Sequence, residues 1–317
     1  MSHLRSNTIA APTSARCRVL FDAPTAEIRA AGGDTALRVA LPALNGRCAE
    51  QLLDGAQLPV SEHGCMVFRS ANSVAGFAVA DAADALEAAS RELYVRVFAA
   101  TRGLRLHRLW NYVPHINAIE GGLENYRHFC RGRSLAFEQQ FGTGFERQLP
   151  AASAVGTKAG PLSLAFLAGT ETARHFENPR QVPAFEYPLD YGPRPPSFSR
   201  ATLVTSGRRR QVFISGTAAI RGHATVAVHH LAGQLPCTVE NLQVIAETAG
   251  AGANLGFADG WQRTFKVYIR HPADFAAVRQ HLERHLVQPG DEVTYLQADL
   301  CRADLLVEIE GVLTKDS

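Results

Sequence analysis

The order of predicted elements occurs twice along the chain, and this repeat constrains the fold more than any other feature of the sequence. Residues 66–70 (MVFRS) start one strand, and residues 211–215 (QVFIS) start another with the same Val-Phe-x-Ser pattern. After each start, the hydrophobic spacing predicts a helix, a strand, a second helix and two closing strands. We therefore expect an α+β fold of two similar halves, each a mixed sheet packed by helices.

The predicted elements fall at matching places in the two halves. In the first half we expect a helix over 82–101, a strand over 109–113, a helix from about 125 to 141, and strands over 152–155 and 162–167. In the second half we expect a helix over 239–246, a strand over 264–269, a helix that opens with Pro272, and strands over 293–296 and 305–313. Pro272 suits the first turn of a helix, where its missing N–H is not needed.

A proline-rich segment over residues 178–196 separates the halves. Its proline density precludes a regular helix and predicts an ordered, extended linker. We place the boundary near residue 195, with an N-terminal domain over 1–195 and a C-terminal domain over 196–317. Residues 1–16 are rich in Ser, Ala and Thr, and we expect them to form a flexible tail.

Charge and hydropathy exclude several classes of protein. The formal charge of +2 gives no electrostatic basis for binding nucleic acid or a membrane surface. No apolar run approaches the roughly 18–20 residues of a spanning helix, and no apolar h-region marks a secretory signal. Six cysteines without a CxxC pair favour free thiols in a reducing cytoplasm. His281 and His285 have the spacing of a metal pair but lack a third ligand, so we expect neither a metal nor a cofactor.

Glu308 is the leading candidate for a catalytic residue. Residues 305–310 (LLVEIE) alternate with the period of a half-buried strand. Burial raises the pKa of a carboxyl group, and a carboxyl group that stays protonated near neutral pH can act as a general acid. The alternative is a solvated face with two ordinary surface glutamates. The matching strand of the first half, 162–167, has no acid, which indicates one active site and one scaffold half.

The position of Cys301 depends on the turn that leads into this last strand. A four-residue turn over 302–305 places Cys301 opposite Leu306, on the side of Glu308, whereas a three-residue turn places it behind the strand. The sequence leaves both geometries open. The alternative to a functional role is a buried thiol that only fills space.

Several segments resemble known families. Residues 212–216 (VFISG), 240–242 (ENL) and 308–310 (EIE) resemble the RidA/YjgF family, in which an acidic residue on the last strand lines a cleft. From about residue 60 onward the chain resembles more closely the chorismatases, two-domain relatives of that fold that act on chorismate. The segments that carry this resemblance are 110–117 (WNYVPHIN), 125–133 (NYRHFCRGR), 187–194 (YPLDYGPR), 215–218 (SGTA) and 301–311 (CRADLLVEIEG).

The resemblance implies an enzyme that removes the enolpyruvyl group of chorismate as pyruvate. Glu308 matches the proton donor of the family, and Cys301 matches a cysteine of the members that form 3-hydroxybenzoate. The Ala218-Ala219 pair does not match that subtype, which leaves 4-hydroxybenzoate as a second product. Two alternatives stay open: hydrolysis of chorismate to a dihydroxycyclohexadiene carboxylate, and a RidA-like protein that hydrolyses imines or binds a metabolite.

The two carboxylates of chorismate call for arginine, whose planar head binds a carboxylate through two hydrogen bonds. Arg131 and Arg133 lie two apart on a predicted helix and cannot face the same way, and we favour Arg133 for the substrate. Arg180 in the linker is the candidate for the second carboxylate, and a surface role is the alternative for each arginine. The other expected substrate-binding residues are Tyr126, Tyr187, Tyr191, Gly216, Thr217 and Ala218. We expect no partner other than the small-molecule substrate, in a protein that is either a monomer or, like many single RidA domains, a trimer.

Overall fold

The structure is a computed structural model that describes residues 15–31, 34–82 and 85–316. Most of the tail expected over residues 1–16 lies outside the described residues. Ala15 and Arg16 are described, and they begin a strand rather than end a tail. The prediction was therefore wrong for these two residues, because Ala15 and Cys17 are buried on one side of that strand.

A small four-stranded sheet, for which we had no expectation, precedes the first half. The strands of this region are β1 (Ala15–Leu20), β2 (Glu27–Ala31), β3 (Asp34–Arg38), β4 (Ala43–Asn45) and β5 (Ala49–Ala56). The sheet has the order β2-β3-β1-β5, while β4 joins a larger sheet of the second half. Buried side chains such as Val19 and Leu37 attach this small sheet to the central core.

The first half is built on a six-stranded sheet with two helices on its outer face. Its elements are β6 (Val60–Glu62), β7 (Cys65–Arg69), β8 (Ser73–Ala80), α1 (Leu86–Ala100), β9 (Arg105–Pro114), β10 (Ile119–Glu120), β11 (Leu123–Glu124), α2 (Asn125–Phe141), β12 (Ala151–Thr157), β13 (Leu162–Gly169) and β14 (Thr172–Phe176). The sheet order is β12-β9-β13-β8-β7-β6. Both helices lie on this sheet because their apolar faces, which include Leu93, Val97, Phe129 and Phe137, fill the core beneath them.

The second half repeats this arrangement. Its elements are β15 (Ala201–Ser206), β16 (Arg209–Thr217), β17 (Ile220–Arg221), β18 (Ala224–Thr225), α3 (Leu231–Thr248), β19 (Gln262–Ile269), α4 (Phe275–His285), β20 (Glu292–Gln297) and β21 (Val307–Asp316). The sheet order is β14-β15-β16-β21-β19-β20-β4. Leu242, Ile245, Val278 and Leu282 form the apolar faces of α3 and α4 that pack on it.

The repeat predicted from the sequence is confirmed by the strand order. The run β12-β9-β13-β8-β7 of the first half corresponds to β20-β19-β21-β16-β15 of the second, and in each half the first pair of this run is parallel. One detail of the prediction was wrong. The strand β7, which contains most of residues 66–70, corresponds to β15, whereas residues 211–215 lie in β16. A four-residue apolar pattern fits any buried strand and carries no information about its place in the sheet.

The two sheets pack face to face, and the helices form the outer layers. The shared core contains Trp110 and Tyr112 of β9, Phe213 of β16, Tyr268 of β19 and Leu305 just before β21. This packing brings β9 of the first half close to β21 of the second, which is the strand that carries Glu308.

The proline-rich linker is largely irregular in structure. Residues 178–196 form no α-helix and only two short 3₁₀ turns, Ala184–Glu186 and Leu189–Tyr191. The division into 1–195 and 196–317 stays a prediction, and two strands that precede residue 195, β4 and β14, pair with the second sheet. Within the described part of the chain, no helix combines the length and apolarity needed to cross a bilayer.

Candidate active site

A cavity of about 440 Å³ lies where the linker, α2 and the second sheet meet. This volume is in the range of sites that enclose small molecules. The residues around it are Glu124, Tyr126, Arg127, Tyr187, Tyr191, Pro196, Phe198, Arg200, Gly216, Ala218, Ile220, Thr225, Val228, His229, Arg302, Ala303, Asp304, Leu305, Cys301 and Glu308. The lining therefore combines aromatic rings, three arginines and a few acids.

Glu308 lies at the base of this cavity with only 3% of its surface exposed. Burial, together with the negative charge of Glu310, raises the pKa of Glu308 to about 8, although Arg108 and Arg200 oppose the shift. The carboxyl group is therefore protonated at neutral pH. The alternative of a solvated surface face is wrong, because Val307, Ile309 and both glutamates are buried.

Glu310 lies two residues further along β21, and its pKa is shifted in the opposite direction. Burial alone would raise its pKa, but the positive charges of Lys266 and Arg108 outweigh burial and lower the pKa of Glu310. Lys266 Nζ lies 2.7 Å from Oε1, Arg108 Nη2 lies 2.9 Å from Oε2, and Trp110 Nε1 donates to Oε1 at 2.9 Å. One strand therefore presents a neutral acid at 308 and an ionised carboxylate at 310, a pairing that suits acid–base chemistry.

Gly216 makes room for the carboxyl group of Glu308. A Cβ atom at position 216 would lie 2.0 Å from Glu308 Oε1, so any larger residue there would force the carboxyl group to move. The register between β16 and β21 is irregular between Ile214 and Thr217, and this irregularity holds Gly216 beside the acid. The Gly216 N–H donates to Ser153 Oγ at 3.0 Å, which ties this part of β16 to the first half.

Cys301 lies on the same side as Glu308, with its Sγ 3.9 Å from Glu308 Oε2. Burial raises the pKa of the Cys301 thiol, and the neighbouring Glu308 raises it further, so the group is a neutral thiol. Both turn geometries that we considered assumed that β20 and β21 form a hairpin. That assumption was wrong, because β19 lies between them and Cys301 sits in the connecting loop.

The three arginines that line the cavity, Arg127, Arg200 and Arg302, were all missed by the sequence analysis. The guanidinium carbon of Arg302 lies 4.3 Å from the ring centre of Tyr191 and 5.4 Å from that of Tyr187. Arg200 Nη2 donates to the hydroxyl of Tyr187 at 2.8 Å. Arg302 directly follows Cys301 in segment 301–311, which carried the family resemblance. This position in the sequence could have identified it as a candidate substrate-binding residue.

The structure brings some of the predicted substrate-binding residues together and leaves others apart. Tyr126, Tyr187, Tyr191, Gly216 and Ala218 line the cavity. Thr217 is not part of the lining, and its hydroxyl donates to the carbonyl oxygen of Ser215 at 2.8 Å.

The three predicted arginines all lie away from the main cavity. Arg131 Nε pairs with Glu87 Oε1 at 3.3 Å on the outer side of α2, and Arg180 pairs with Glu240 at the surface. Arg133 points inward, as its spacing from Arg131 predicts, but it lies behind Glu308 rather than in the main cavity. Within the described ranges, no group of three or more metal-binding side chains is present.

A neutral carboxylic acid at the base of an aromatic, arginine-lined cavity defines a general acid–base enzyme of the α+β class. The chain belongs to the chorismatase family. It is 40% identical over 237 residues to the 3-hydroxybenzoate synthase of Streptomyces hygroscopicus, an alignment that covers 71% of this chain and 69% of that protein. A chorismatase of the same organism is 38% identical over 236 residues, covering 71% of this chain and 67% of the relative.

Two further comparisons agree with this assignment. A family model described as the N-terminal part of FkbO/Hyg5-like chorismatases matches residues 53–168. A chorismatase crystal structure at 1.08 Å resolution superposes with a TM-score of 0.84 at 29% identity and covers 98% of this chain and 96% of that chain.

Proposed function

We propose that the protein converts chorismate into 3-hydroxybenzoate and pyruvate. The observation that carries this proposal is the pair formed by the protonated Glu308 and the Cys301 thiol, 3.9 Å apart at the base of the cavity. The relative named 3-hydroxybenzoate synthase supports the choice of product. The reaction consumes no water overall, because the atoms of chorismate equal those of the two products together.

Glu308 supplies the first proton. Protonation of the terminal vinyl carbon of the enolpyruvyl group turns that carbon into the methyl group of pyruvate. Proton transfer to carbon is slow, so the acid must be both protonated and held in position. Burial keeps the proton on Glu308, and Gly216 lets the carboxyl group reach into the cavity.

The ring then becomes aromatic. The bond between ring carbon C3 and the ether oxygen breaks, and its electrons form the ketone of pyruvate. The C4 hydroxyl loses its proton as its oxygen bonds to the vacated C3, so that the oxygen bridges C3 and C4. Cleavage of the C4–O bond, protonation of the oxygen and loss of the C3 ring proton then give 3-hydroxybenzoate. Cleavage of the other C–O bond gives 4-hydroxybenzoate, so the same site accounts for a minor second product.

Cys301 keeps water away from the reacting carbon. A water molecule that attacked the cation would divert the reaction to a dihydroxycyclohexadiene carboxylate. The Cys301 side chain fills the space next to Glu308 from which such a water would attack, and as a neutral thiol it is a weak hydrogen-bonding group. This side chain therefore favours the aromatic product.

Arg127, Arg200 and Arg302, which line the cavity, provide the positive charge for the two carboxylates of chorismate. The guanidinium group of Arg302 lies over the rings of Tyr187 and Tyr191, which hold it in the cavity wall by cation–π contact. We assign the carboxylates to these arginines rather than to Arg131 and Arg180, which do not line the cavity and pair with Glu87 and Glu240 outside it.

Incubation of the purified protein with chorismate tests the proposal, with pyruvate and ring products separated by chromatography. We expect pyruvate and 3-hydroxybenzoate in equal amounts. Pyruvate with a non-aromatic diene would instead support the hydrolytic alternative, and no turnover of chorismate alongside hydrolysis of an imine would support the RidA-like alternative. Glu308→Gln should abolish pyruvate release at an unchanged melting temperature, because glutamine matches the size of a protonated glutamate.

A further inference from the structure

A second, smaller chamber adjoins the main cavity at Glu308. Its volume is about 30 Å³. Its lining residues are Tyr126, Phe129, Cys130, Arg133, Ala152, Ser153, Ala154, Pro196, Phe198, Gly216, Cys301 and Glu308. Several of them also line the main cavity, so Glu308 stands between the two spaces. We call this space the inner chamber.

Arg133 is the unusual member of the inner chamber. It is 2% exposed, and its Nε and Nη2 atoms have no hydrogen-bond partner within the described residues. No described carboxylate lies within ion-pair distance of it. Its guanidinium carbon is instead 5.2 Å from the ring centre of Tyr94 and 5.7 Å from that of Phe137.

A buried cation in this position needs a hydrogen-bond acceptor. The aromatic faces offset part of the cost of burial, but they accept no hydrogen bond in the plane of the guanidinium group. Unsatisfied buried polar groups are rare in proteins, and each one points to a partner such as an ordered water molecule. A space of about 30 Å³, into whose mostly apolar wall Arg133, Ser153 and Glu308 bring polar groups, holds about one or two water molecules and is too small for a six-membered ring.

We propose that a water molecule in the inner chamber accepts hydrogen bonds from Arg133 and donates one to Glu308, and so stabilises the carboxylate that Glu308 becomes after giving up its proton. This inference rests on the proposed role of Glu308 as the acid. The conjugate base forms in a buried site, where an unpaired negative charge is costly. The water carries the influence of the Arg133 charge to that carboxylate, and because Arg133 lines the inner chamber and not the main cavity, we assign it the role of a positioning residue.

Arg133→Met tests this role, because methionine keeps an unbranched apolar stem but removes the charge and the donors. We expect kcat for pyruvate release to fall about 10- to 100-fold with KM nearly unchanged, since one or two charged hydrogen bonds are lost outside the main cavity. Arg133→Lys retains the charge and one donor, and it should recover part of the loss. Arg131→Met on the same helix is the matched control, and it should leave kcat and KM at wild-type values.

Ala154→Val provides a second test if Arg133→Met fails to fold. The added methyl groups would fill the inner chamber and displace the water without altering Arg133. We expect the same loss of kcat with unchanged KM. A wild-type kcat in folded Ala154→Val, with the chamber shown to be dry, would overturn the proposal.

A crystal structure in which ordered water is visible gives a readout that does not depend on activity. We expect a water within hydrogen-bond distance of both Arg133 and Glu308. A dry chamber, or a carboxylate of bound 3-hydroxybenzoate in contact with Arg133, would contradict the inference. If the wild-type protein releases no pyruvate from chorismate, the proposed function fails, while this structural test of the water site still stands.

Discussion

Replacing Gly216 with alanine should displace the catalytic acid. The added Cβ atom would lie 2.0 Å from Oε1 and 2.8 Å from the carboxyl carbon of Glu308. An ordinary contact begins at 3.4 Å, so the carboxyl group must retreat by roughly 1.4 Å, a distance over which catalytic alignment is lost. The backbone of Gly216 is outside the left-handed region, so alanine adds no conformational strain and the displacement is the main effect.

The expected size of the effect follows from this displacement. A misplacement of about 1 Å can slow an enzyme about 100-fold, and overpacking of a buried site costs about 1–3 kcal/mol of stability. We therefore expect Gly216→Ala to release pyruvate about 100-fold more slowly than the wild type, with a lower melting temperature and an unchanged circular dichroism spectrum. The assay couples pyruvate formation to lactate dehydrogenase, and thermal unfolding is followed in parallel.

Gly311→Ala is the matched control for this experiment. Gly311 lies on the same strand as Glu308, but its added Cβ would meet the ring of Phe265 at 3.2 Å rather than the acid. This variant should keep most of the wild-type kcat. Adding Glu308→Asp to Gly216→Ala shortens the acid by one methylene group and should recover part of the lost rate. A wild-type kcat in folded Gly216→Ala would refute the argument that this close approach positions the acid.

Three further predictions follow from the site. The active form of Glu308 is protonated, and its pKa is raised to about 8. In a pH–rate profile of pyruvate release, kcat should therefore be constant below pH 8 and fall about tenfold per pH unit above it. A kcat that stays constant up to pH 10 would contradict the assignment of Glu308 as the acid. Cys301→Ala should open space for water, so chromatography of the products should show the non-aromatic diol increasing at the expense of 3-hydroxybenzoate, and an unchanged product ratio would remove Cys301 from the mechanism. Arg302→Met should raise KM for chorismate about 10- to 100-fold with a smaller change in kcat, because it removes a charged hydrogen-bond donor from the cavity wall; an unchanged KM would show that the carboxylates bind elsewhere.

The parts of the site that could be predicted are those carried by regular elements. The helix expected from about residue 125 to 141 is observed as Asn125–Phe141, and the period of its side chains fixes which face turns inward. The same rule explains why Arg131 and Arg133 point to opposite sides of α2. The alternation along β21 predicted the strand but left open whether Glu308 lies on a buried or a solvated face, because both faces of this strand are buried.

The parts that could not be predicted depend on contacts distant in the sequence. Arg302 lies in an irregular loop, and its orientation is set by the rings of Tyr187 and Tyr191, more than 100 residues earlier in the chain. The charge of Glu310 depends on Arg108 and Lys266, which two different strands bring to it. Periodicity describes one element at a time and contains no information about such partners.

The ionised state of Glu310 has a consequence for how a duplicated protein can evolve. Its partners Arg108 and Trp110 belong to the first half, whose closing strand β13 carries no acid. Its third partner, Lys266, is also paired with Glu50 of the small N-terminal sheet at 2.5 Å. A mutation at Arg108 therefore changes the pKa of Glu308, because Arg108 keeps Glu310 ionised and the charge of Glu310 raises that pKa. After the duplication, the first half cannot change freely at Arg108 and Trp110, because selection on the chemistry of the second half also acts on these two residues.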